Sequence, residues 1–199
     1  MSTNITYATF LRPSKRVYAG LYDAALIIGG SLLIVLCARV RILLPFSPVP
    51  ITGQTFAVLI IGALLGAGRG GLSVLLYVMM GAAGLRVFAL GGGVAVLLGP
   101  TGGYLVGFIA AAYITGSLAE RGWDRRIGTT ILSMVFGNVA IYAFGLLWLF
   151  CLMGVNKTVL TVGLYPFIVG DLLKISLAAV LLPSGWKLLK YSGFVSKRG

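Results

Sequence analysis

From Ala19 to Val40 the chain reads AGLYDAALIIGGSLLIVLCARV, and Arg39 and Arg41 close this apolar run. At 1.5 Å per residue it is long enough to cross a hydrocarbon layer ~30 Å thick. A cleaved leader would have a shorter apolar core and a small-x-small exit, so this segment is expected to stay. Further apolar runs follow, and the whole chain of 199 residues is 59% hydrophobic and 10% charged. Backbone that meets lipid must satisfy its own hydrogen bonds. The expectation is an all-α integral membrane protein.

Prolines and glycines punctuate the rest. Leu43 to Thr55, LLPFSPVPITGQT, carries prolines at 45, 48 and 50 and reads as a loop. Helices two and three are predicted at Gln54 to Leu65 and Gly71 to Gly84, split by GAGRGG at Gly66 to Gly71. Leu85 to Gly103 holds six glycines and one proline, which suits a folded or re-entrant loop rather than a span. Helix four is predicted over Tyr104 to Ala119 and helix five over Ile127 to Leu152, with the charged ERGWDRR loop (Glu120 to Arg126) between them. After a connection at Met153 to Leu164, helix six takes Pro166 to Leu182 and Pro183 stops it. This is one membrane domain over 1–199: a bundle of six transmembrane helices, with a lead-in at 1–18 and a basic tail at 184–199.

Small residues at four-residue spacing let helices approach closely. Gly20 with Ala24, Ala25 with Gly29, and Gly103 with Gly107 and Ala111 form such faces. Trp123 and Trp186 fall at predicted span ends, where indoles anchor in the headgroup layer.

The net charge of +12, from 16 Lys and Arg against four acids, would suggest nucleic acid in a soluble protein. Here the basic residues lie between apolar segments, which fits contact with anionic lipid and topological sorting and gives no basis for a nucleic-acid partner. Arg12, Lys15, Arg16, Arg69, Arg121, Arg125, Arg126, Lys187, Lys190, Lys197 and Arg198 fall on one side of a six-helix topology. Arg39, Arg41, Arg86 and Lys157 fall on the other. The positive-inside rule then makes both termini cytoplasmic in a multi-pass protein of the cell membrane. The Pro-rich loop, the Gly-rich loop and the segment leading into helix six face outward.

There is no histidine, and the two cysteines, Cys37 and Cys151, sit apart in apolar segments. Metal sites and His-dependent triads have nothing to build on. GPTGG lacks the lysine and hydroxyl of a phosphate loop, so no ATPase is visible. No enzyme and no cofactor are expected.

Asp171 and Lys174, in YPFIVGDLLK, are the sharpest functional signal. With a helix starting near Pro166 they lie ~7 Å and ~12 Å along it, inside the hydrocarbon depth. The i, i+3 spacing puts them on one face, and intramembrane ionisable residues mark substrate sites by default. A pair that only neutralises itself is the plain alternative. Asn138, near the middle of helix five, is a buried amide that needs partners, either a neighbouring helix or a ligand. These elements suggest an outward pocket that captures a small polar molecule.

Four segments carry a closer likeness: PVPITGQTFAVLIIGALLG (Pro48 to Gly66), GAAGLRVFA (Gly81 to Ala89), LLGPTGGYLVGF (Leu97 to Phe108) and GDLLK (Gly170 to Lys174). In this order and spacing the chain resembles the BioY family, the biotin-binding S components of energy-coupling factor transporters. It departs from the family pattern at Gly91 to Ala95, where GGGVA replaces a stretch nearer GGSGG, and at Val169, where a proline is expected. The resemblance implies a six-helix subunit that binds biotin from outside and reorients in the membrane to release it. Its partners would be a transmembrane scaffold subunit, docked through the small-residue face of helix one, and paired ATPases. It makes Asp171 and Lys174 the principal biotin contacts, with Gln54, Tyr104 and Asn138 as secondary donors and Phe56 and Phe88 against the sulfur ring. The rival reading is a stand-alone channel or facilitator for a small polar solute, with Asp171 and Lys174 lining a pore.

Overall fold

The computed structural model describes residues 6–154 and 156–191. Tail positions 192–199, with Lys197 and Arg198, and lead-in positions 1–5 lie outside the described residues. In chain order the elements are α1 (Tyr7–Phe10), α2 (Arg16–Arg39), β1 (Arg41–Ile42), β2 (Ile51–Thr52), α3 (Gln54–Leu65), α4 (Ala67–Ala82), α5 (Val94–Leu98) and α6 (Gly102–Glu120). A 3-10 turn, η1 (Trp123–Arg125), precedes α7 (Ile127–Met153), α8 (Lys157–Gly163) and α9 (Tyr165–Tyr191).

Among the described residues, four helical stretches are long and apolar enough to cross a membrane: α2, α6, α7, and α8 with α9 from Lys157 to Leu189. The helices α3 and α4 are shorter, at 12 and 16 residues. The axis of the bundle is α6, with 61% of its apolar window buried against 22%, 28% and 33% for the other three. Its small residues make this possible. A Cβ added at Gly103 would lie 2.3 Å from the Trp148 Cβ, and one at Gly107 3.0 Å from the Ile141 Cα, so α7 packs directly on its backbone. On the opposite side a Cβ at Gly116 would meet the Ala67 nitrogen at 2.4 Å.

Two boundaries differ from the sequence expectation. Helix α4 begins at Ala67, so Gly66 alone breaks the chain rather than the whole GAGRGG stretch. Gly66 takes φ +88°, a conformation open to glycine, and the Glu120 carboxylate accepts from the Ala67 N–H at 2.9 Å. A side chain from the end of α6 thus caps the start of α4. Glu120→Ala would leave that N–H unpaired, and a loss of ~1–2 kcal/mol of stability is expected. A lowered thermal midpoint of the purified protein would show it.

Pro183 does not stop the last helix, which runs on to Tyr191. The proline removes one backbone hydrogen bond, but Ala178, Ala179, Leu182, Pro183 and Trp186 continue a buried face. The Tyr7 hydroxyl donates to the Leu182 carbonyl. Tertiary packing outweighs the local breaker.

Trp186 is not a headgroup anchor. It is buried, stacks on Tyr7 with ring centroids 4.4 Å apart, and donates its indole N–H to Asp124 at 2.5 Å. The Arg125 guanidinium lies 4.7 Å above its ring. Burial pushes the Asp124 carboxyl up to about 6, against the opposing pull of the Trp186 bond and Arg125. Asp23 pairs with Arg12 at 2.7 Å and Arg69 at 2.9 Å, tying α2 to α4 and to the segment after α1.

The expected loops also hold short elements. Arg41 pairs with Thr52, and Ile42 with Ile51, in a two-stranded hairpin. The Gly-rich loop contains α5, and the connection before α9 contains α8.

Candidate substrate-binding site

The first turns of α3 and α6, the middle of α7 and the N-terminal part of α9 surround a cavity with ≈ 50 Å³ of solvent-accessible space. Its wall is mostly apolar, and its charged groups, Asp171 and Lys174, both come from α9. Asp171 is 6% exposed. One of its oxygens accepts from the Lys174 ammonium at 3.2 Å, and the other accepts from the Tyr142 hydroxyl. Lys174 also donates to the Thr55 hydroxyl at 2.7 Å. One turn of α9 therefore holds an acid and a base that are bridged to α7 and α3.

This local geometry follows from sequence. Helix α9 starts at Tyr165, with Pro166 in its first turn, where a proline costs little. Asp171 and Lys174 then fall on the inward face that carries Ala178 one turn further on. Thr55 sits in the first turn of α3, directly after the β1–β2 hairpin. Its neighbour Gln54 is buried, accepting from the Thr52 hydroxyl at 3.2 Å and donating to the Tyr77 hydroxyl.

The apolar wall is held just as closely. Phe88 is 1% exposed and meets Tyr77 edge-on, with centroids 5.4 Å apart. A Cβ at Gly81 would come within 1.9 Å of the Phe88 ring, so only glycine admits that ring. The Tyr104 hydroxyl donates to the Gly163 carbonyl at 2.7 Å. A Cβ at Gly145 would lie 2.4 Å from the Tyr104 ring. Trp148 donates to the Gly99 carbonyl at 2.9 Å, and Ser47 to the Val162 carbonyl at 2.7 Å. These bonds bring the Gly-rich loop, the Pro-rich loop and α8 to the end of the bundle that holds the cavity.

Of the five residues singled out from sequence, Asp171, Lys174, Gln54 and Tyr104 line this cavity. Asn138 does not; it lies one turn of α7 from Tyr142, and its amide atoms meet no hydrogen-bond partner among the described residues. Phe88 lines the cavity and Phe56 does not. Sequence reasoning missed Tyr142 and Thr55. Tyr142 follows Asn138 at helical spacing, and Thr55 closes the GQT triplet, so both stood beside positions already marked.

A small molecule here would meet a carboxylate, an ammonium and hydroxyls at one end and aromatic walls at the other.

Comparison with known proteins places the chain. The model of the BioY family matches residues 8–191. A biotin transporter BioY of Thermotoga maritima is 39% identical over 167 residues, covering 83% of this chain and 91% of that protein. A biotin transporter BioY of Rhizobium etli is 40% identical over 146 residues, covering 69% of this chain and 78% of the relative. A crystal structure of the S-component for biotin from an ECF-type ABC transporter superposes with a TM-score of 0.75 at 26% identity, covering 87% of this chain and 95% of the other. With the family model spanning almost all of the described bundle, this chain belongs to the BioY family.

Proposed function

We propose that this protein captures biotin as the substrate-binding subunit of an ECF-type ABC transporter and carries it into the cell. The observation that supports this most directly is the Asp171–Lys174 pair, bridged to Tyr142 and Thr55 on the wall of an aromatic cavity. Its relatives are named biotin transporters, and its structural neighbour is an S-component for biotin.

Biotin presents two ureido N–H donors and a carbonyl, a sulfur ring, and a valerate carboxylate. The ureido end belongs at Asp171 and Lys174. The carboxylate accepts from N–H, while the ammonium and the Thr55 hydroxyl donate to the carbonyl. In the reverse pose the valerate carboxylate would compete with Asp171 for the one ammonium at Lys174, leaving two carboxylates to share a single positive charge. Gln54 and Tyr104 position the wall through bonds to Tyr77 and Gly163. Asn138 supplies a polar step one helical turn from Tyr142.

Six spans follow if α3 and α4, joined at Gly66, each cross with their glycine-rich flanks. The distribution of Lys and Arg then puts both termini in the cytoplasm and the cavity end outside. No phosphate loop is present in the sequence, so power would come from ATPases acting through a membrane scaffold. The whole chain would act as one membrane domain, with no chemistry and no cofactor of its own.

Calorimetric titration of biotin-free protein tests this reading, with thiamine and riboflavin as controls. One-to-one binding of biotin alone is expected. Folded, empty protein that gives no heat with biotin, yet conducts a solute when reconstituted, would replace capture with a channel.

A further inference from the structure

Beside the cavity lies an open hollow of ≈ 500 Å³ lined by Arg39, Arg41 and Arg86 together with Leu90 and the glycines of the Gly-rich loop. Leu90 lines both spaces. Arg41 is the ladder partner of Thr52, which lines the cavity. The Phe88–Gly91 bridge joins a cavity residue to a hollow residue across one tight turn. The two spaces are therefore neighbours, separated by a single side chain and one hairpin.

The charge of the hollow is not balanced from within. The chain has only four acids. Asp23 is held by Arg12 and Arg69, Glu120 by the Ala67 N–H, Asp124 by Trp186, and Asp171 by Lys174 and Tyr142. None of these lines the hollow. Arg39 donates to the Arg86 carbonyl, which fixes the end of α2 to the loop, and all three arginines are exposed. Three guanidinium groups in one concavity attract an anion and suit a planar carboxylate.

Building on the biotin reading above, we propose that this arginine basin is the entry station for the ligand's carboxylate. It draws the anionic end in first, while the neutral ring turns down past Leu90 to Asp171 and Lys174. The recognised class is a monocarboxylate carrying an uncharged head, and the basin acts on the rate of capture.

The test compares association rates of biotin and of its uncharged carboxamide with the protein in discs of neutral lipid, at low and at physiological salt. For the wild type, biotin should associate roughly tenfold faster than the amide at low salt, and the ratio should shrink as salt screens the basin. In Arg39→Gln/Arg41→Gln/Arg86→Gln the ratio should fall toward one at every salt concentration. Arg41→Gln/Arg86→Gln keeps the Arg39 tie to the loop and should lower the ratio in the same direction.

Equal rates for the two compounds in the wild type, or an undiminished ratio in both variants, would overturn the entry station while leaving the biotin site in place. Rates that change equally for both compounds, and only when anionic lipid is added, would assign the arginines to lipid phosphate instead. A wild type that binds neither compound would overturn the biotin reading and this extension together.

Discussion

Asp171→Asn is expected to weaken biotin binding by roughly 10- to 100-fold while leaving the bundle folded, because a charge-assisted hydrogen bond is worth ~1.5–3 kcal/mol. The amide keeps the shape of the side chain and still accepts from Tyr142, but it no longer carries the charge that faces Lys174 and the ligand's N–H. Lys174→Ala is expected to do more harm. It strands a carboxylate that is 6% exposed, and breaking one side of such a pair costs ~3–5 kcal/mol. Affinity and thermal midpoint should fall together in that variant. Asp171→Asn/Lys174→Met separates binding from mere self-neutralisation, since the double change removes both charges. Its midpoint should recover toward the wild type while its affinity stays low. Recovery of both would show a structural pair that never meets the ligand, and wild-type affinity in either single variant would remove the site.

Gly81→Ala is the second large effect. The added methyl carbon would sit 1.9 Å from the Phe88 Cζ and 2.3 Å from both ε carbons, far inside any allowed contact. The ring cannot tilt freely, because Tyr77 stands edge-on against it and both aromatics are almost fully buried. The backbone at Gly81 is equally committed, its carbonyl accepting from Gly93 at 2.7 Å and Gly84 at 3.1 Å. Overpacking of this kind costs ~1–3 kcal/mol. Here it also displaces a ring that forms part of the cavity wall. A lower thermal midpoint together with weaker biotin binding is the expected result. Adding Phe88→Leu to the alanine variant should restore part of the midpoint. An unchanged midpoint in Gly81→Ala would mean that the ring is not held as described.

The bundle was legible in the sequence because lipid leaves few options for backbone polar groups. The long spans α2, α6 and α7 begin or end within a few residues of their expected limits. Asp171 and Lys174 were equally plain, since charge inside an apolar run stands out. What could not be read was anything decided by a contact between distant segments. Glu120 starts α4 from the far end of α6, and Tyr7 helps α9 continue through Pro183. No window around Gly66 or Pro183 contains either partner. Tyr142 escaped notice for a related reason. A tyrosine among apolar residues reads as wall until the structure sets its hydroxyl against a carboxylate from another helix.

The contact between the two ends of the described chain has a bearing on how the molecule is made. Tyr7 donates to a carbonyl 175 positions further along, and its ring waits for Trp186. Lys174 likewise reaches back 119 positions to Thr55, and Asp171 reaches 29 positions to Tyr142. During synthesis the Gly-rich loop, the hairpin and the arginines emerge early, but the acid and the base of the proposed site arrive only with the final long helix. A nascent chain therefore has most of its cavity wall before the charged pair proposed to hold a ligand there, and in that reading the competence to bind would come with the same last segment that clasps the two ends.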